Sequence, residues 1–225
     1  MSTWTLSLYE DILPPQCLPV YLSHHHRTLY MVSGQAMIEA PQGCRLLREE
    51  NAWIGSAEVA LVGGASEARI WRWELAGPDR PDVDGLLRSA PAARTMCKLS
   101  AQIVLDDAMS WLMRCDRVAF PKGGIAYTHV HQGPGIRCCL KGAITTEVHG
   151  VVNTHPKDHA WMETGPEPVL APTSKTEETA FVRCSILPQS CKGRSSIRYV
   201  LPEDLTKDKP QAYMVFAEQF ICLHR

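Results

Sequence analysis

No sign of charge dominates this chain: 23 Lys and Arg stand against 24 Asp and Glu over 225 residues, a formal net charge of −1. No block of it is basic either. A surface built for nucleic acid or an anionic membrane needs a clustered positive field, so neither partner is expected. No apolar run is long enough to span a bilayer. The opening stretch MSTWTLSLYEDILPP lacks the basic start and apolar core of a secretory signal. The nine cysteines contain no C-x-x-C spacing, which argues against a zinc ribbon or a thioredoxin-type motif. They are expected as reduced thiols, packed as small hydrophobes in a cytoplasmic protein. Helical periodicity is scarce, with weak candidates only in VDGLLRSA (83–90) and in the PEDL turn that starts at Pro202.

What the chain does contain is short β-strands. Runs such as TLYMVS, ARIWRWEL, GIRCCLK, AITTEVHG and AFVRCSIL are rich in β-formers and punctuated by Gly, Pro, Asn, Asp or Ser. That spacing predicts an all-β sandwich or barrel. The chain also repeats itself. Placing Gly34 on Gly142 lays TLYMVSGQAMIEA on IRCCLKGAITTEV and carries Ala52-Trp53 onto Ala160-Trp161. With a four-residue insertion, ARIWRWEL follows on AFVRCSIL, Ala68 falling on Ala180 and Leu75 on Leu187. Two β-units are therefore expected at 1–77 and 95–190, with a Pro/Gly-rich connector at 78–94. The tail at 191–225 is too apolar for disorder and is expected to pack on a barrel of its own chain or of a partner.

The stretch YTHVHQGPGIRCCLKG (127–142) carries the strongest chemical signal. On a strand, Tyr127, His129 and His131 share a face, and two imidazoles so placed suit a first-row transition metal. His131, Gly135 and Gly142 keep the spacing of the first cupin motif, and KDHAWMETGPEPV resembles the second, with Asp158 in its turn and Gly165 in register. With the repeat, the chain resembles a bicupin: two cupin-type double-stranded β-helix (jelly-roll) barrels in one chain, closest in pattern to bacterial dioxygenase-like bicupins. The resemblance implies a metal site of three His and one Glu holding a divalent transition metal (Fe, Mn, Zn or Ni). This sequence departs from that pattern. Gly135 stands where the Glu would be and Pro168 where the last His would be. Glu163, two residues beyond Trp161, is the best substitute and would complete a two-His-one-carboxylate set with His129 and His131. Gln132 is a weaker one.

By strand alternation Arg137 and Cys139 face inward with Gly135. A buried Arg137 needs an anion: either the carboxylate of a bound ligand, or an internal partner, Glu163 or Glu147, in competition with metal ligation. Tyr127 is a candidate pocket hydroxyl, and Trp53 and Trp161 read as packing residues. The triple histidine His24–His26 falls out of register with the ligand pair, so the first barrel is expected to be structural and metal-free. Two functions stay open. One is a metal-dependent enzyme, dioxygenase-like or an isomerase or lyase, acting on a small carboxylated metabolite with Tyr127 and Arg137 at its site. The other is a non-catalytic bicupin, binding or structural. A homodimer is expected in either case.

Overall fold

The computed structural model describes residues 1–78 and 92–223. Most of the connector expected at 78–94, including the helix candidate at 83–90, lies outside the described residues, as does His224. The chain divides into two compact units, Met1–Ala108 and Met109–Cys222. Unit 1 holds β1 (Ser2–Leu13), β2 (Val20–Leu22), β3 (His26–Ser33), β4 (Gln35–Ala40), β5 (Gly43–Arg48), β6 (Ala52–Gly55), β7 (Val59–Gly63), β8 (Ala68–Ala76) and β9 (Arg94–Leu105). Unit 2 holds β10 (Trp111–Phe120), β11 (Ile125–His131), β12 (Gly135–Lys141), β13 (Ala143–Val148), β14 (Val151–Pro156), β15 (Ala160–Glu163), β16 (Val169–Pro172), β17 (Thr179–Pro188), β18 (Ile197–Tyr199) and β19 (Ala212–Ile221). The PEDL segment forms a 3-10 turn. Among the described residues no helix is long and apolar enough to cross a membrane.

The two units share one plan. Unit 1 has a five-stranded sheet ordered β6-β3-β8-β1-β9 and a four-stranded sheet ordered β2-β7-β4-β5. Unit 2 has a five-stranded sheet ordered β15-β12-β17-β10-β19 and a second ordered β14-β13-β16-β11-β18. Strand for strand the first sheets are equivalent, and the pairing is antiparallel throughout. These are two double-sheeted jelly rolls, as the sequence repeat implies, and neither sheet pair closes into a continuous barrel. Gly34 and Gly142 occupy the same bend, with φ of +78° and +68°. A Cβ there would lie 2.3 Å from the Glu67 carbonyl oxygen and 2.4 Å from that of Glu178, respectively, so the repeated glycine is a steric requirement in both units.

Register refines the sequence reading in three places. Leu29 faces Trp53 and Arg72, while Arg137 faces Trp161 and Arg183. Arg72 and Arg183 are therefore equivalent, and the match of Ala68 to Ala180 is one residue out of step. Matching the flanking Ala and Leu missed this, because strand pairing, not residue identity, sets the frame. Next, the segment at 95–108 belongs with unit 1: β9 pairs with β1 over eleven residue pairs. Last, the tail is an integral strand of unit 2, since β19 pairs with β10 from Ala119 to Trp111.

The core of unit 1 is apolar and deeply buried. Leu13, Leu29, Met31, Ile38, Leu61 and Ile70 are all at most 1% exposed and form one cluster. Beside it lies a buried ionic network. Arg72 Nε is 2.6 Å from Asp11 Oδ2, Arg72 Nη1 is 3.0 Å from Glu74, and Arg27 Nε donates to Glu74 at 3.0 Å. Four charges this deep are tolerable because each is paired within hydrogen-bond distance.

Candidate ligand chamber in unit 2

Unit 2 holds a partly open chamber of about 650 Å³. Its wall chemistry follows from strand alternation and register. The inward residues of β10 run Arg114, Asp116, Val118, Phe120, and across β17 they meet Ser185, Arg183, Phe181 and Thr179. On β12 the facing residues are Gly135, Arg137 and Cys139. One end of the chamber is therefore polar and charged, and the other is apolar, with Phe120, Ile144, Trp161, Ala171 and Phe181 packed together there. The tail supplies further wall: Tyr199, Lys209, Gln211, Tyr213 and Glu218 all line the cavity.

The polar end is a linked set of buried ions. Arg183 Nε donates to Asp116 Oδ1 at 2.6 Å, and Tyr213 Oη donates to Asp116 Oδ2 at 3.0 Å. Arg114 pairs with Glu218 at 2.6 Å. Arg137, 1% exposed, places Nη2 2.9 Å from Glu163 Oε2, and its Nη1 donates to the carbonyl of Gly135. His131 Nε2 lies 2.6 Å from the same Oε2, and Trp161 Nε1 donates to Glu163 Oε1 at 2.8 Å. Burial works against ionising Glu163, but Arg137, His131 and Trp161 together outweigh it and hold the carboxyl well below its usual range. Burial, reinforced by the Arg137 charge, pushes His131 down to about 3. Burial also lowers His129. Both imidazoles are neutral at pH 7. His129 Nδ1 lies 2.7 Å from the Tyr127 carbonyl oxygen. A carbonyl only accepts, so the proton sits on Nδ1 and Nε2 carries the lone pair.

Of the residues singled out in sequence, His129, His131, Arg137 and Glu163 all line the chamber. Of the two partners open for Arg137, the structure pairs it with Glu163. Tyr127 does not share the face of the histidines. β11 is irregular between Ala126 and His129, where two residues stand against one on β16, so the alternation resets. Ala126 and His129 face the chamber, while the Tyr127 ring lies under Lys207 Nζ at 4.8 Å. Gln132 bonds the Ser195 carbonyl instead of turning inward. Gly135 has no room for a side chain: a Cβ would lie 2.7 Å from the Cys184 carbonyl oxygen and 2.8 Å from Ser185 Oγ. Trp161 both packs and lines the chamber, stacking on His155 at 4.5 Å. Sequence reasoning missed Arg114, Asp116, Arg183 and Tyr213. A signal for three of them was present: RCDRVAF sets two charges, Arg114 and Asp116, and then Val118 and Phe120 on one face, and Arg183 repeats Arg72.

No protein-family model matches the chain, and no curated protein matches its sequence. Solved structures match its fold. A mutant of oxalate decarboxylase from Bacillus subtilis aligns with a TM-score of 0.65 at 10% identity, over 92% of this chain and 80% of that one. The 11S allergen from Cocos nucifera aligns at 0.60 and 10%, over 89% and 86%. A glyoxylate-induced protein from Pseudomonas aeruginosa, so described provisionally in its name, aligns at 0.53 and 13%, over 81% and 75%. The 11S globulins and the decarboxylase are bicupins, and the likeness establishes that this chain has the bicupin fold. It does not carry a reaction across, because a decarboxylase and an 11S allergen share it.

The motif resemblance implies a divalent metal held by His129, His131 and Glu163. Among the described residues, no group of three or more His, Cys, Asp or Glu side chains is placed to hold a metal ion. The reason is visible at Glu163. One carboxylate oxygen takes the Trp161 N–H, and the other faces both Arg137 and His131. The guanidinium already neutralises the acid that a divalent ion would need. With the Gly135 slot sterically closed and Pro168 unable to ligate, the expected set of His129, His131 and Glu163 does not fit a resident metal.

Proposed function

We propose that unit 2 is a binding chamber for a small organic acid with an apolar body, and that it works without a resident metal. The observation that carries this is a set of buried polar atoms without hydrogen bonds on the chamber wall: Arg137 Nε and Nη2 and Gln211 Oε1. Arg137 Nη2 and Glu163 Oε2 attract each other at 2.9 Å but are not aligned to bond. Buried valences of this kind are ordinarily met by a ligand or water. The charge of the wall favours an anion. Arg114, Arg137, Arg183, Arg194 and Lys209 face Glu163, Glu218 and Asp116, with both histidines neutral. The apolar end suits a hydrocarbon or aromatic body. A dioxygenase-type reading would need Glu163 released from Arg137, so the non-catalytic binder is the better supported of the two functions.

The test is a thermal-shift and calorimetry panel of small aryl and alkyl carboxylic acids, each beside its neutral amide, in metal-free buffer. Acids are expected to raise the melting temperature and amides not, with about 2.7 kcal/mol of stabilisation at a hundredfold excess over Kd. Equal shifts from acids and amides would remove the anionic head from the proposal, and no shift from any acid would end it. We also propose that two copies associate through the edge strands β9 and β19, which expose Met96, Val104 and Met214. Light scattering should give twice the monomer mass, and monomer mass at all concentrations would refute it. The unpatterned cysteines further support placing the chain in the cytoplasm.

A further inference from the structure

We propose that Arg137 is the chamber's own resident cation, and that its guanidinium bars a divalent metal from a site that His129, His131 and Glu163 would otherwise share. The three donors are already neighbours. The two imidazole rings stand 4.8 Å apart at 84°. His129 is locked with its lone pair on Nε2, because Nδ1 gives its proton to the Tyr127 carbonyl, the arrangement that orients a ligating histidine. His131 Nε2 is 2.6 Å from Glu163 Oε2. What stands against coordination is a fixed positive charge on the same carboxylate oxygen. Arg137 Nη2 approaches it to 2.9 Å, and Nη1 is tied to the backbone through the Gly135 carbonyl and, at 3.4 Å, the Glu163 carbonyl. Arg183, itself paired with Asp116, adds a second guanidinium on the facing strand. A divalent ion entering here would meet like charge within a few ångströms at low dielectric, a cost that one carboxylate does not offset.

Arg137 folds back along its own strand onto the carbonyl of Gly135. Gly135 accepts no side chain, so its carbonyl is open to the guanidinium from the next inward position on the same strand. The equivalent of Arg137 in unit 1 is Leu29, which faces Trp53 and Arg72 as Arg137 faces Trp161 and Arg183. The cation is therefore a feature of the ligand chamber and not of the fold.

Cobalt(II) is the probe, titrated into untagged, chelator-stripped full-length protein and followed by its visible absorption and by calorimetry. Wild type should take up no cobalt through the histidine pair up to about 1 mM. Arg137→Gln should gain a site at least a hundredfold tighter, and adding His129→Ala or Glu163→Gln should abolish it. Arg137→Lys, which keeps the charge, should stay as metal-poor as wild type. Stoichiometric cobalt in wild type that is lost with His129→Ala overturns the proposal. So does an Arg137→Gln protein that keeps the wild-type melting transition and near-ultraviolet circular dichroism yet gains no site. If Arg137→Gln does not fold, the wild-type titration decides: uptake through the histidines refutes the inference and refusal upholds it. The result is independent of the organic acid, since a chamber that binds no acid would leave the cobalt outcomes unchanged.

Discussion

The same jelly roll carries an apolar cluster beside a buried ionic network in unit 1 and a pocket of about 650 Å³ in unit 2, and the difference can be followed through a few equivalent positions. Arg27 and Glu74 face each other in unit 1; Gly135 and Ser185 face each other in unit 2. A large buried ion pair in one unit is thus a glycine and a serine in the other, packed too closely for a side chain at position 135. Other equivalences are charge for carbon: Leu29 becomes Arg137, and Gly55, against which the Trp53 ring lies, becomes Glu163, which Trp161 holds by a hydrogen bond. What both units keep is the arginine at 72 and 183. Each is paired with an acid of the neighbouring strand, Asp11 or Asp116, and each lies over a tyrosine, Tyr9 at 4.5 Å or Tyr213 at 5.8 Å. The shared arginine is scaffold; the exchanged positions make the site.

This comparison can be broken most directly by giving unit 1 the serine of unit 2. Glu74→Ser strips Arg27 and Arg72 of a common partner in a buried setting, and a loss of about 3–5 kcal/mol in urea unfolding is expected. A loss below about 1 kcal/mol would mean that the network does not set unit 1 apart.

Acid should separate the units next. His131 is held near 3 and His155 near 4, each chiefly by burial. A histidine whose folded value lies below its unfolded 6.5 binds its proton preferentially in the unfolded chain, so stability falls as pH drops from 6.5 toward the folded value. In unit 1 the carboxyl of Glu74 is depressed: burial alone would raise it, but Arg72 and Arg27 lower it further. Its contribution is lost only as pH falls below 4.5. Hydrogen exchange should therefore show unit 2 loosening between about pH 6 and 4.5 while unit 1 holds, and simultaneous loosening would contradict the assignment.

Volume gives a smaller contrast. Ala36→Phe overpacks the apolar core of unit 1 at about 1–3 kcal/mol. Ala171→Phe grows into the chamber, should cost less than about 1 kcal/mol, and should abolish acid binding. Equal costs in chemical denaturation would argue that the chamber is not open in solution. The smallest effect is expected at Tyr127→Phe, with acid affinity unchanged within twofold by calorimetry. A tenfold loss would return that hydroxyl to the site.

Much of this was legible in the residues. Short punctuated strands and the Gly34–Gly142 repeat announced two all-β units, because a bend that excludes Cβ leaves a glycine in each copy. The pair His129 and His131, the inward Arg137 and the nearby Glu163 were all found, since strand alternation is a strict rule wherever a strand is regular. It failed at Tyr127, where an irregularity invisible in sequence resets the face. The partners Asp116 and Tyr213 were missed for a different reason. They come from the first and last strands of unit 2, and only the pairing of β10 with β17 and β19 brings them to Arg183. The hollow itself was beyond reach, because volume depends on which residues oppose one another across strands.

The closed slot at Gly135 also constrains the history open to such a chain. Placing an acidic ligand there is not a single step: the new side chain would strike the backbone of β17, and Arg137 would still cap the Gly135 carbonyl. Position 135, the neighbouring strand and position 137 would have to change together, and each intermediate would carry an unpaired buried charge or a clash. The closed slot behaves as a ratchet: single substitutions in this chamber alter its choice of ligand and do not build an acid ligand at position 135.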